Sequence, residues 1–387
     1  MNRHRAALTV IVLSQFMGTS LWFTPNAVVP ELMAAWSVGP EEVARLTSAV
    51  QLGFILGTLV FAVTGLADRW RASRIFLTSA LLGAMANGLF ILSEGPDTAM
   101  VWRFVTGLCL AGVYPVGMKL VASWAPDRKG FALGWLVGML ALGTAFPHLM
   151  RALSPGWEWQ PVVLASSVLA VLAGVMIAIL GDGPGLPSTG RFNWGGGLRA
   201  FGQPRFRAAA LGYFGHMWEL YAVWALAPLL VARSLGDIPV DSPLVPAASF
   251  AFIAAGTVGC VVGGMISRRI GSARVAFVAL AVSGLMCLFW PWLSALPGWL
   301  SLVLLLVWGM AVVADSPQFS ALAAEAAPGE SVGSSLAIMN SVGFLLTVFA
   351  IELTAGFWLD LGTGVTWLLV IGPVLGLISL WPLCRRA

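Results

Sequence analysis

Ionisable residues set inside apolar sequence are the first chemistry this chain offers. In GYFGHMWELYAVWALAPLL (212–230), His216 and Glu219 stand three apart on one helix face, close enough to interact or share a proton. Asp315 lies in VVADSPQF, deep in another apolar run, and Pro317 frees a backbone carbonyl and can bend the helix beside it. A charge at mid-bilayer costs roughly 2.5–3.5 kcal/mol or more, so these three are candidates for carrying protons through a membrane. The bland alternatives are an interhelical hydrogen bond for His216 and Glu219, and for Asp315 a structural carboxylate paired with a serine, Gln318 or a basic residue. Arg103 and Lys119 are cations in a further run and candidate solute ligands: by position alone Arg103 also reads as an interfacial anchor, while Lys119 binds an anion, neutralises Asp315 or snorkels to the surface. Gln15, Trp22, Asn26, Tyr221, Trp224, Gln318 and Asn340 supply polar and aromatic lining for a solute cavity. Cys109, Cys260, Cys287 and Cys384 show no metal-ligand spacing, nor do the histidines at 4, 148 and 216, and no nucleophile–base pair is evident. We therefore expect no metal, no cofactor and no enzyme.

The elements that must position these groups follow from composition. Of 387 residues, 59% are hydrophobic and 10% charged, with a mean hydropathy of +0.89. Soluble domains carry about 25% charged residues, so this chain lacks the polar surface to live in water. Its apolar runs are continuous rather than alternating, which excludes a β-barrel. Twelve runs are long enough to cross ~30 Å of hydrocarbon, near 6–30, 43–66, 74–93, 99–124, 130–153, 160–181, 207–232, 243–266, 274–293, 298–324, 332–353 and 363–384. The first follows a short basic stretch but is too long for a signal-peptide core, and reads as a retained helix.

Basic residues orient the runs. With both termini cytoplasmic, inner segments hold 16 of the 21 Lys and Arg residues, among them Arg3, Arg69, Arg74, Arg128, Arg205, Arg268 and Arg385. Outer loops carry acids instead, such as Glu41, Glu94 and Asp237. The Gly- and Pro-rich stretch 182–206 reads as a cytoplasmic linker between halves 1–181 and 207–387. The halves echo each other: GTLVFAVTGLADRW (57–70) aligns with GTVGCVVGGMISRR (256–269), and YPVGMKLVASWAP (114–126) with SPQFSALAAEAAP (316–328), at offsets of 199 and 202. An all-α integral membrane fold of twelve helices in two pseudo-symmetric six-helix bundles is the expectation, with a site between the bundles near the midplane.

TGLADRWRASR (64–74) resembles the loop signature of the major facilitator superfamily, G-x-x-x-D-R/K-x-G-R/K-R/K, with Asp68 and Arg69 matching, while Thr64, Arg71 and Ala72 depart from it. WRFVTGLCLAG (102–112) is similar to that family's R-x-x-x-G pattern through Arg103 and Gly107, and APDRKGFALG (125–134) resembles its loop after the fourth helix. The resemblance implies the two-bundle fold and alternating access. It also implies that Asp68 and Arg69, with Arg74 and Arg128, latch the outward-facing state across the bundle interface, and that Arg103 takes part in proton transfer or gating. Pro147 is displaced from the Gly-Pro ending of drug–proton antiporters, and the helix arginines of nitrate porters are absent. The short chain looks more like the bacterial group of cyanate-permease-like carriers. The expected function is a proton-coupled transporter (sodium the lesser alternative) of a small organic solute in the bacterial inner membrane, acting as a monomer. Arg103, Lys119 and His216 favour an anion. A proton-driven exporter of hydrophobic or cationic compounds is the alternative.

Overall fold

A computed structural model describes residues 3–125, 129–185 and 194–385, and within these leaves the side chains of Arg3, Pro40, Ala67, Asp68, 129–131 and Glu330 undescribed. Among the described residues every regular element is helical. α1 (Arg3–Thr19) ends in a turn and a 3₁₀ segment, Pro25–Ala27, before α2 (Val29–Trp36). Next come α3 (Pro40–Thr64), α4 (Leu66–Arg69), α5 (Ala72–Leu89), α6 (Pro96–Leu110), α7 (Tyr114–Trp124), α8 (Lys129–Leu153) and α9 (Gln160–Leu180). α10 (Trp194–Arg199) lies in the linker. Beyond it stand α11 (Pro204–Ala225), α12 (Ala227–Ser234), α13 (Leu244–Ile270), α14 (Ser272–Leu293), α15 (Gly298–Ala314), α16 (Ser316–Ala326) and α17 (Val332–Gly356). The last elements are α18 (Trp358–Leu361), α19 (Thr366–Leu369) and α20 (Ile371–Cys384).

Among the described residues ten helical stretches are long and apolar enough to cross a bilayer, and counting the pair α11–α12, bent by 64°, as one span raises the number to eleven. The twelve membrane helices expected are therefore met by ten or eleven among the described residues. α1, at 17 residues, is not one of the ten, and the runs expected at 99–124 and 298–324 are each interrupted. Proline explains the breaks: Pro30, Pro115, Pro228 and Pro317 all occupy the first turn of the helix that restarts after a break. A proline has no N–H to donate and clashes with the preceding turn, so it suits a helix start and breaks a helix interior. Large apolar side chains such as Leu92, Ile179 and Ile378 stand exposed around the outside, which suits hydrocarbon and not water.

The breaks repeat. α7 and α16 are both 11 residues long and begin 202 residues apart, and α2 and α12 are both 8 residues long and begin 198 apart. The packing repeats with them. A side chain at Gly107 of α6 would strike the Val50 carbonyl of α3, and one at Gly309 of α15 would strike the Phe252 carbonyl of α13. Each member of the second contact lies 202 positions after its counterpart. The two halves thus reuse one helix–helix approach, in which the missing Cβ lets backbones touch, as small residues do in membranes.

The helices before the linker and those after it meet chiefly along α8–α13 and α3–α17. Thr257 Oγ1 donates to the Gly138 carbonyl at 2.8 Å across the first seam. His4 Nδ1 bonds the Trp124 carbonyl and Cys384 Sγ donates to that of Ala273, which gathers these helix ends on the face that carries both chain ends.

Candidate functional site

Two spaces lie where the halves meet. A central cavity of about 110 Å3 is lined by α7, α8, α11, α15–α16 and α17, and its lining includes Tyr114, Tyr213, Tyr221, Trp224, Asn340 and Phe344. An apolar groove of about 480 Å3 lies nearer the end remote from the chain termini, among Asn26, Met33, Ala44, Leu229, Thr354 and Trp358. On α11 the cavity lining reaches Trp224 and the groove lining begins at Ala225. The rings packed there wall one space off from the other. Trp22 stacks on Phe344 at 5.8 Å between centroids and meets Tyr221 at 5.8 Å, while Phe54 meets Phe344 at 4.4 Å. Both halves contribute to this wall. Beside it Trp22 Nε1 donates to Gln51 Oε1 at 3.0 Å, and Gln51 Nε2 donates to Thr347 Oγ1 at 3.1 Å. Ser48 of α3 also donates to the Glu352 carboxylate of α17.

The titratable trio sits just behind the cavity wall. Tyr213, Met217, Leu220, Tyr221 and Trp224 present one face of α11 to the cavity; His216 and Glu219 are fully buried on another. His216 Nδ1 lies 2.9 Å from Asp315 Oδ1, both side chains being wholly shielded from solvent. That contact has ion-pair distance but lacks hydrogen-bond alignment. Glu219 turns away from His216: its Oε2 accepts from Ser283 Oγ at 2.8 Å and from Cys287 Sγ at 3.4 Å on α14. Trp308 Nε1 of α15 donates to the same serine at 3.0 Å. The i, i+3 spacing that suggested a His216–Glu219 pair therefore yields two separate partnerships. The reason is the break at Asp315, which brings a carboxylate opposite His216 and leaves α14 to cover Glu219. Gln318 is buried on α16 without facing the cavity, and Asn340 lines it.

Arg103 has a different setting from that of a solute ligand. It is fully buried, and its Nη1 donates to the Leu21 carbonyl (3.0 Å), Thr24 Oγ1 (3.2 Å) and Asn87 Oδ1 (3.1 Å). Nη2 donates to the Trp22 carbonyl. The guanidinium thus serves the backbone that α1 leaves unpaired where it breaks, a use that its fork of donors fits. Asn87, which the sequence did not single out, extends the cluster by donating to the Val163 carbonyl and Ser167 Oγ. Gln15 is fully buried on α1 with no hydrogen bond at either amide atom, and Asn26 accepts from Thr47 at the groove. Lys119 is half-buried on α7 and is not a lining residue of the cavity.

A family description, "Major Facilitator Superfamily", matches residues 11–351. The chain belongs to that superfamily. It is accordingly a multi-pass membrane protein of a transporter family, not an enzyme. Across its full length this superfamily member is similar to a bacterial homologue of the human lysosomal transporter Spinster, solved inward-facing and unoccupied, with a TM-score of 0.71 and 12% identity, covering 100% of this chain and 98% of that one. Among curated proteins it is similar to a putative niacin/nicotinamide transporter of Bacillus subtilis, 26% identical over 41% of this chain and 39% of that protein. It is also similar to the niacin transporter of Acinetobacter baylyi, 26% identical over 39% of this chain and 34% of the other. The 4-hydroxybenzoate transporter PcaK of Pseudomonas putida is 23% identical over 43% of this chain and 36% of its own. These alignments span less than two fifths of the relatives' length.

The superfamily's signature loop is partly described. Arg69 and Arg74 are exposed. Arg71 Nε lies 3.4 Å from Asp182, whose other oxygen accepts from the Ser73 backbone N–H at 2.7 Å, tying the start of α5 to the segment after α9. Asp182 stood unremarked in the linker. The Asp68 side chain and Arg128 lie outside the described residues.

Proposed function

We propose that the chain is a proton-coupled secondary transporter that moves a small aromatic carboxylate by alternating access between its halves. The halves are six-helix bundles, 1–181 and 207–387, joined by the linker 182–206, with both termini on the cytoplasmic face of a bacterial inner membrane. The observation that carries this reading is the aromatic cavity with buried His216, Asp315 and Glu219 directly behind it. At about 110 Å3 the cavity is small beside the ~300–1,000 Å3 pockets that hold drug-sized ligands. The solutes printed in the relatives' names, niacin and 4-hydroxybenzoate, are single-ring acids. They replace the cyanate-like expectation as the guide to chemistry.

Coupling runs through α11. Solute in the cavity touches Tyr213, Tyr221 and Trp224, while His216 and Glu219 on the same turns contact α14–α16. Adding a proton to Glu219 or Asp315 removes a buried charge and frees these helices to repack, because an unpaired ion inside the membrane is far costlier than a neutral acid. The test is uptake of labelled benzoate and nicotinate into proteoliposomes under an imposed pH gradient. Glu219→Gln should abolish gradient-driven accumulation while leaving counterflow exchange within about threefold of wild type. Unchanged accumulation would remove Glu219 from the coupling path.

A second reading is an exporter of hydrophobic compounds, favoured by the apolar groove of about 480 Å3. Gradient-driven efflux of a lipophilic cation, with no benzoate flux, would select it.

A further inference from the structure

We propose that the carrier reads its solute's carboxylate with neutral tyrosine hydroxyls, and that Tyr114, Tyr213 and Tyr221 are that reader. The proposal rests on the aromatic-acid reading above and names the groups that recognise the acid. The sequence holds three tyrosines among 387 residues, and all three line the single cavity of about 110 Å3. They reach it from two helices, Tyr114 at the start of α7 and the other two from α11, so the coincidence is not one of local sequence.

The hydroxyls are unused by the protein. Among the described residues none of the three takes part in a hydrogen bond, although Tyr213 and Tyr221 are 5% and 3% exposed. Trp224, which also lines the cavity, has its indole N–H fully buried with no acceptor. A buried donor left without a partner costs about 1–3 kcal/mol, so the Trp224 N–H gains on meeting an acceptor, and the three hydroxyls, which no protein group occupies, can donate beside it. An ionised carboxylate accepts at two oxygens with about four lone-pair sites, and bonds from hydroxyls to an anion are short and strong.

The obvious cations are placed elsewhere. Arg103 spends both Nη atoms on Leu21, Trp22, Thr24 and Asn87, and Lys119 is not a lining residue. A neutral donor set has a consequence for selectivity. A phenol both donates and accepts, so it also bonds a carboxamide, though less strongly than the charge-assisted carboxylate, whereas a fixed cation strongly disfavours the neutral amide. Ring contacts from Phe344 and Trp224 hold the aromatic body in either case.

The experiment uses the full chain in detergent, with 3-fluorotyrosine incorporated to give three fluorine resonances. Saturating benzoate should shift all three, and any one left in place overturns the three-hydroxyl site. Benzamide should displace labelled benzoate with a Kd within about a hundredfold of benzoate's own; no displacement at saturating benzamide would point to a fixed cation and overturn the proposal. Tyr114→Phe, Tyr213→Phe and Tyr221→Phe should each raise the benzoate Kd at least fivefold, and unchanged affinity in a folded variant refutes that residue's part. Where a variant does not fold, the fluorine shifts of the unsubstituted sequence decide. If benzoate, nicotinate and 4-hydroxybenzoate all fail to bind, the aromatic-acid reading falls and takes this one with it. If they bind with tyrosine resonances unmoved, only the hydroxyl site falls.

Discussion

Arg103 shows how far a residue's role depends on what surrounds it. A lone arginine in an apolar run is a fair candidate for an anion site, yet its donors close a broken stretch of main chain at Leu21 and Trp22. Arg103→Lys keeps the charge and loses the fork, leaving the Leu21 and Trp22 carbonyls short of donors. We expect a loss of about 2–4 kcal/mol of stability, read as a lowered thermal midpoint, with benzoate affinity of the surviving fold within threefold of wild type. A stable Arg103→Lys protein that no longer binds benzoate would instead make Arg103 a solute ligand. Glu219 and His216 teach the same lesson from the other side. Their spacing was visible in the sequence, and their residence in the bilayer marked them, but the partners Ser283, Cys287 and Asp315 come from distant helices. No spacing rule reaches that far, because a helix face names neighbours only within its own turns.

At the scale of elements, proline and glycine organise the molecule. Pro317 restarts α16 immediately after Asp315, and the equivalent Pro115 restarts α7 beside Tyr114. In each half a break therefore places one functional candidate at or beside the central cavity. The bend at Pro317 was legible in the sequence; the matching one at Pro115 was not, since an apolar window counts proline as tolerable and does not register the lost N–H. Gly107 and Gly309 make the second point. Because each replaces a Cβ that would strike a carbonyl, at Val50 and at Phe252, Gly107→Ala and Gly309→Ala should destabilise alike, by about 1–3 kcal/mol each. Thermal midpoints of the two variants check this. A large loss at one and none at the other would contradict a shared packing rule. The 202-residue offset was legible beforehand for α7 and α16, while α3 and α13 were aligned at 199, three residues from the register their contacts share; what the repeat preserves, a backbone contact and a helix break, was not legible.

For the whole molecule, the question is what holds the halves in the arrangement seen. Trp22, Gln51 and Thr347 form a hydrogen-bonded chain from one half to the other, beside rings from both. Gln51→Leu removes both bonds at little cost in volume. Losing ~1 kcal/mol of cross-half interaction should move the conformational equilibrium about fivefold toward separation at that end. Spin labels at exposed Arg45 and Leu359 should then show a larger long-distance population; an unchanged distribution would deny the chain any part in closure. Composition alone determined that this protein lives in a membrane, because 10% charge cannot cover a soluble particle. The few charges left in apolar sequence marked Glu219, His216, Asp315 and Arg103, because such groups are too costly to keep without use. Only the tertiary structure decided which of them touch one another, and that Tyr114, Tyr213 and Tyr221 share one cavity. Those facts depend on helix breaks and on which faces of separate helices meet. Contacts between residues about 100 positions apart are set by packing, and packing is not written in any local pattern.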